Sequence, residues 1–143
     1  MGAQDPTHGV AGLSLYLLDT NVLIDHLRGD EDIKGQLLEL LAAGHSLCTC
    51  CVSVAEIRRG VVPREEKPAT DLLNRLHFLD TGRDAAARAG AYQAQFAKRG
   101  RTIHTADALI AGTARSHGAV ILTSNLGDFP MRDVRVVAPA VDG

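Results

Sequence analysis

Apolar and polar positions along this chain fall into short blocks that switch between two periods. Ser14–Leu18 is a compact apolar run, and Thr20–Leu27 follows at once with apolar positions at helical spacing before Gly29. That pairing predicts a buried strand feeding directly into a short helix. Asp32–Ala43 places Ile33, Leu37, Leu40 and Leu41 at helical spacing, with Gly44 as its stop. Ser46–Cys50 predicts a second strand, and Ser53–Arg59 a helix whose last turn holds Arg58 and Arg59, with Gly60 beyond. Pro63 and Pro68 bracket a polar connection, Ala69–Leu76 predicts a helix, and His77–Leu79 a brief strand. Asp84–Arg99 aligns Ala85, Ala89, Tyr92 and Phe96 on one face and runs into the basic turn Lys98–Arg101. Thr105–His117 predicts a helix stopped by Gly118, Ala119–Thr123 a buried strand, and Val134–Val137 a last strand.

Strands alternating with helices predict an α/β fold with a parallel sheet of four to five strands and helices on both faces. No internal repeat, low-complexity tract or linker divides the 143 residues, so residues 13–143 are expected to form one domain. Residues 1–12 lack the charged start and apolar core of a signal peptide and read as a flexible leader or expression scar.

Composition narrows the classes. Apolar residues make up 45% of the chain, enough for a globular core, and the net charge of −2 shows no global basic field for coating nucleic acid. No apolar run reaches the roughly 18 residues of a membrane span, so a cytoplasmic protein is expected. Cys48, Cys50 and Cys51 share one apolar segment, which suits reduced cysteines on a strand better than disulfides. A zinc site with His45 lacks a second ligand cluster at suitable spacing.

The acids carry the chemistry. Asp19 ends the first strand, where its commonplace role is to cap the following helix. Glu56 lies three residues after Ser53, the spacing of a capping box. Asp107 falls in the first turn of its helix, and Asp128 follows the fourth strand through a Ser124–Asn125 turn. If the first and fourth strands are neighbours, their C-terminal ends frame one crevice, where Asp19, Glu56, Asp107 and the Asn125/Asp128 turn converge. Clustered carboxylates call for a neutralising cation, and an oxygen-only donor set selects Mg²⁺, with Mn²⁺ as a substitute, over zinc.

Leu17-Leu-Asp19-Thr-Asn-Val-Leu-Ile-Asp25, Val52-Ser-Val-Ala-Glu56-Ile, Thr105-Ala-Asp107-Ala-Leu-Ile-Ala and Leu122-Thr-Ser-Asn125-Leu-Gly-Asp128-Phe occur in that order. Together they resemble the PIN-domain ribonucleases, and more narrowly the VapC-type toxins of toxin–antitoxin modules. The resemblance runs from about Ser14 onward and implies a PIN-like three-layer fold. It implies Asp19 and Asp107 as the principal metal ligands and Glu56 as the third acid, acting through water or as an orienting base. The family's fourth acidic position falls on Asn125, a departure for which Asp128 is the candidate substitute. Thr20, Asn21 and Thr123 would orient ligands or the scissile phosphate. The implied reaction is Mg²⁺-dependent endonucleolytic cleavage of RNA, tRNA or rRNA by analogy, through attack of metal-activated water. The implied partners are a VapB-type antitoxin and a second copy of the chain.

An acidic pocket repels RNA, so basic residues at its rim must compensate. Arg99 and Arg101 are the leading RNA-binding candidates, with Arg58, Arg59, Lys98 and Arg115 behind them. Two other readings compete. A catalytically impaired PIN-like RNA-binding domain draws only on Asn125. An aspartyl-nucleophile phosphatase expects a second Asp two residues after Asp19, where this chain has Asn21.

Overall fold

The computed structural model describes residues 12–140. The expected leader, residues 1–12, therefore lies almost wholly outside the described residues. In chain order the elements are β1 (Leu15–Leu18), α1 (Thr20–Leu27), α2 (Glu31–Ala42), β2 (Ser46–Cys50), α3 (Cys51–Gly60), α4 (Glu66–Arg75), β3 (His77–Leu79), α5 (Arg83–Ala97), α6 (Thr105–His117), β4 (Val120–Leu122) and β5 (Val136–Val137). Two 3₁₀ turns, Pro63–Glu65 and Leu126–Asp128, lie between them.

The five strands form one parallel sheet in the order β3-β2-β1-β4-β5. Side chains alternate across it, which sorts the core into two layers. Leu17, Cys48, Cys50 and Ile121 face α5 and α6, and Leu18, Leu47 and Leu122 face the residues of α1 to α4. The result is a three-layer α/β/α sandwich, as the resemblance implied. From β1 the chain builds toward β2 and β3 on one side, then crosses to β4 and β5 on the other. The connections therefore diverge at the C-terminal ends of β1 and β4, where an open parallel sheet leaves a crevice.

Helix α5 packs on α6 unusually closely. A Cβ added at Gly112 would stand 2.3 Å from the Ala85 carbonyl oxygen, so only glycine lets the backbones meet there. Helix α6 ends on Gly118, whose φ of 66° is the left-handed conformation that closes a helix.

Three expectations need correction. The polar connection between Pro63 and Pro68 is instead a 3₁₀ turn followed by α4, which starts at Glu66. Pro68 is then the third residue of the helix, in the first turn, where its missing N–H breaks no intrahelical bond. Ser53 does not cap α3, because the helix begins two residues earlier at Cys51 with Cys50 as N-cap. Cys51 accordingly leaves the strand. It is exposed, whereas Cys48 and Cys50 are buried, and burial pushes the Cys48 thiol up to about 11. His45 joins no cysteine cluster, and its Nδ1 accepts the Ser14 N–H at 3.0 Å.

Candidate active site

Asp19 is delivered by β1 and held by three elements. Its backbone N–H donates to Leu122 O of β4 at 2.9 Å, fixing it at the crevice between the two strands. Its extended backbone makes it the N-cap of α1, and its Oδ1 accepts the Thr20 N–H at 2.8 Å. Its Oδ2 accepts the hydroxyl of Thr123, which is fully buried, at 2.7 Å. Capping and site chemistry thus coexist in one carboxylate. Asp19 is only 6% exposed, and desolvation raises its carboxyl above the usual range, with Glu56 and Asp128 adding repulsion against the two hydrogen bonds.

Glu56 projects from the middle of α3 toward the same place. Thr20 Oγ1 lies 2.6 Å from Glu56 Oε1 and 3.0 Å from Ser53 Oγ. Thr20 has one hydroxyl proton, and the acceptor-only carboxylate takes it, so Ser53 donates to Thr20 in turn. Ser53 is wholly buried and stands one helical turn before Glu56, on the same face of α3. The Ser-x-x-Glu spacing marked this pair in the sequence, and it serves the site rather than the helix end.

Asp107 enters from the first turn of α6. Its carboxyl is pushed up to about 6, first by desolvation and then by Asp128 and Asp19, with a smaller push from Glu56 and an opposing pull from His104. Asp128, at the end of the second 3₁₀ turn, is therefore electrostatically part of the group. The turn is tied to Asp19 through Thr123, whose Oγ1 also accepts the Asn125 N–H at 3.0 Å. Asn125 contributes this backbone contact as N-cap of the turn, and no side-chain hydrogen bond caps it.

These residues offer only oxygen donors and carry more negative charge than their surroundings balance, which fits a hard divalent cation. Among the described residues no three His, Cys, Asp or Glu side chains close into a cage around a metal position. Such a cation would therefore draw few of its ligands from the protein and keep several waters, the usual habit of Mg²⁺.

The basic candidates are dispersed. Arg101 donates from its guanidinium to the Gly127 carbonyl, beside Asp128. Arg99 lies over the Phe96 ring at 5.4 Å and lines a cleft between α5 and residues 130–133. Arg115 is at the far end of α6, where it and Arg88 each approach Asp133 at 3.5 Å, and Tyr92 donates to that carboxylate at 2.8 Å. The sequence reading did not include this second cluster. Its signal is long-range, 41 residues from Tyr92 to Asp133.

The PIN domain family pattern matches residues 16–132. The chain belongs to the PIN-domain family. Its relatives are VapC proteins: it is 32% identical to ribonuclease VapC2 of Haemophilus influenzae over 123 residues, covering 80% of this chain and 89% of that protein. It is 28% identical to the tRNA(fMet)-specific endonuclease VapC of Shigella flexneri, covering 80% of this chain and 89% of that protein. Among solved structures, the DNA-bound VapBC of Salmonella typhimurium superposes with a TM-score of 0.78 at 27% identity, covering 89% of this chain and 99% of that one. This VapC-family chain therefore has the PIN fold from β1 to the turn that follows β4. The four acids read from its motifs sit at the sheet's switch point.

Proposed function

We propose that this VapC-family chain is the toxin of a toxin–antitoxin module and acts as a divalent-cation-dependent endoribonuclease. One arrangement carries the reading: Thr20 joins Asp19 to Glu56, Thr123 ties Asp19 to the turn that bears Asp128, and Asp107 opens α6 close enough to Asp128 and Asp19 for them to push its carboxyl up. Relatives named ribonuclease and endonuclease support the reaction class.

Asp19 and Asp107 would hold Mg²⁺ or Mn²⁺, with Glu56 and Asp128 reaching it directly or through water. The cation supplies charge neutralisation at the phosphate and lowers the pKa of water. The chain's own residues do the rest. Thr123 and the Thr20 N–H lock the Asp19 carboxylate in one orientation, so no reorganisation is needed when RNA arrives. Glu56 has Oε1 fixed by Thr20, which leaves Oε2 to accept a proton from the attacking water. Water adds to phosphorus and the ribose oxygen opposite leaves, so the neighbouring 2′-hydroxyl has no chemical part. Arg99 and Lys98, at the end of α5, would offset RNA's charge at the rim.

Three VapBC or FitAB complexes among the similar structures support a VapB-type antitoxin as the partner. An apolar tail of the antitoxin would find partners along Val22–Leu27 and Ile57–Val62, where a small cleft of about 100 Å³ lies between Ile24, Leu27, Ile57 and Val61. A larger apolar groove of about 650 Å³ runs between α2 and α4, with Leu38 and Leu41 more than half exposed along it. A homodimer and a cytoplasmic setting complete the reading. No helix among the described residues is long and apolar enough to cross a membrane.

The test is cleavage of bulk tRNA and rRNA by the antitoxin-free protein with Mg²⁺ or EDTA, alongside folded Asp19→Asn. The reading expects cleavage with Mg²⁺ only, and none from Asp19→Asn. Cleavage that survives EDTA, or survives Asp19→Asn, would remove it.

A further inference from the structure

Arg101 was a candidate for RNA because it is basic and lies near the site in sequence. The structure gives its guanidinium a different occupation. Helix α5 ends in a tight cap in which Gly100, at φ 76°, lets the Arg101 N–H turn back to Phe96 O at 3.0 Å. Gln93 holds the connection that follows, donating from Nε2 to Ile103 O at 3.0 Å. Arg101 therefore leaves a fixed backbone, and its side chain crosses to the Gly127 carbonyl, the residue before Asp128.

The turn that receives it is otherwise held at its edges. Asp128 N–H donates to Asn125 O and Phe129 N–H to Leu126 O, which define the 3₁₀ turn, while Phe129 anchors it in the core. Thr123 ties its entry to Asp19. Gly127 itself is exposed and has no side chain to brace the peptide. Asp128 is also the first of the neighbouring charges acting on Asp107, so a small displacement of this turn alters the acidic group directly.

We propose that Arg101 is a positioning residue: by gripping the Gly127 carbonyl it holds the Asp128 turn against Asp19 and Asp107, and this clasp from α5 completes the acidic site. The proposal rests on the reading of that site as RNA-cleaving. Arg101 then sets where Asp128 stands, and the chain's departure at Asn125 makes that placement matter, since Asp128 is the turn's one carboxylate. The guanidinium is committed to a backbone oxygen and adds little to phosphate binding.

The experiment compares Arg101→Ala, Arg101→Lys and Asp128→Asn, and the double variant Arg101→Ala/Asp128→Asn. Hydrogen exchange on the metal-free protein reads the turn itself. The Asp128 and Phe129 amides should exchange at least about fivefold faster in Arg101→Ala, and Arg101→Lys should recover part of that protection. With RNA and Mg²⁺, Arg101→Ala should lower kcat by about 10- to 100-fold through misplacement, leaving KM and its salt dependence near wild type. In the Asp128→Asn background the same substitution should cost less than about twofold more. Unchanged exchange in the turn, or a raised KM with a flatter salt slope, would overturn the clasp in favour of a phosphate contact. Fully multiplicative effects of the two substitutions would overturn it as well. A wild type that cleaves no RNA with Mg²⁺ would instead defeat the function reading, which the exchange measurement identifies separately.

Discussion

Replacing Asp107 with Asn should stabilise the metal-free protein while destroying its activity. In the folded chain the Asp107 carboxyl is pushed from its ordinary 3.8 to about 6 by desolvation and by Asp128 and Asp19. Holding it ionised at pH 8 would cost on the order of 3 kcal/mol if fully realised. Asp107 is only half-buried, and solvent screening reduces that to about 1–2 kcal/mol. Asn also forgoes a favourable interaction with the start of α6 worth about 0.3–1 kcal/mol. The net gain is therefore between about zero and 1.7 kcal/mol, or up to roughly 7 °C in Tm for a chain of this size. Because the folded carboxyl binds its proton more tightly than the unfolded one, its penalty is absent below about pH 4 and complete above about pH 6 to 7. The advantage of Asp107→Asn should accordingly be present at pH 8 and largely gone at pH 4.5. The chain has no Trp, so far-UV circular dichroism melts in EDTA at the two pH values are the suitable assay. Excess Mg²⁺ should reverse the order by stabilising only wild type. An Asp107→Asn protein less stable than wild type at pH 8 in EDTA, or a difference independent of pH, would refute the reasoning.

Gly112→Ala should cost about 1–3 kcal/mol, because its Cβ would meet the Ala85 carbonyl oxygen at 2.3 Å and force α5 off α6. A Tm drop of several degrees checks it, and a neutral outcome would contradict the close helix approach. Ser53→Ala should leave the fold intact yet slow cleavage, since Thr20 loses the hydroxyl that orients it toward Glu56. Single-turnover rates with matched melts would show this, and an unchanged rate would remove Ser53 from the site. The antitoxin complex should survive high salt if its tail lies in the apolar groove between α2 and α4, whereas dissociation in moderate salt would point to a polar interface.

The elements that write themselves locally were legible in the chain. Thr20–Leu27 and His77–Leu79 match their expected bounds, and the Asp19, Asp107 and Asp128 positions follow from strand ends and helix starts. The parallel sheet was inferred from alternation, whereas the adjacency of β1 and β4 entered only as a condition, which the pairing of Leu18 with Leu122 meets. What stayed hidden depends on contacts between distant residues. Ser53 looked like a cap because its spacing to Glu56 is the same for a capping box and for two residues sharing a helix face. Pro68 suggested a break because sequence does not show whether a proline falls in a first turn or an interior one. Arg101 read as free basic surface because its partner is a backbone carbonyl 26 residues away, and a carbonyl has no signature in sequence.

The central claim is that Asp19, Glu56, Asp107 and Asp128 form one cation-binding site, and Mn²⁺ titration followed by electron paramagnetic resonance tests it most directly. At pH 8 the wild-type protein should take up Mn²⁺ that Mg²⁺ competes away, and both Asp19→Asn and Asp107→Asn should lose that binding while remaining folded. Binding should also weaken as pH falls through about 6, where Asp107 takes up its proton in place of the cation. Folded wild type that binds no Mn²⁺ at millimolar concentration, or uptake unchanged in both variants, would contradict the account.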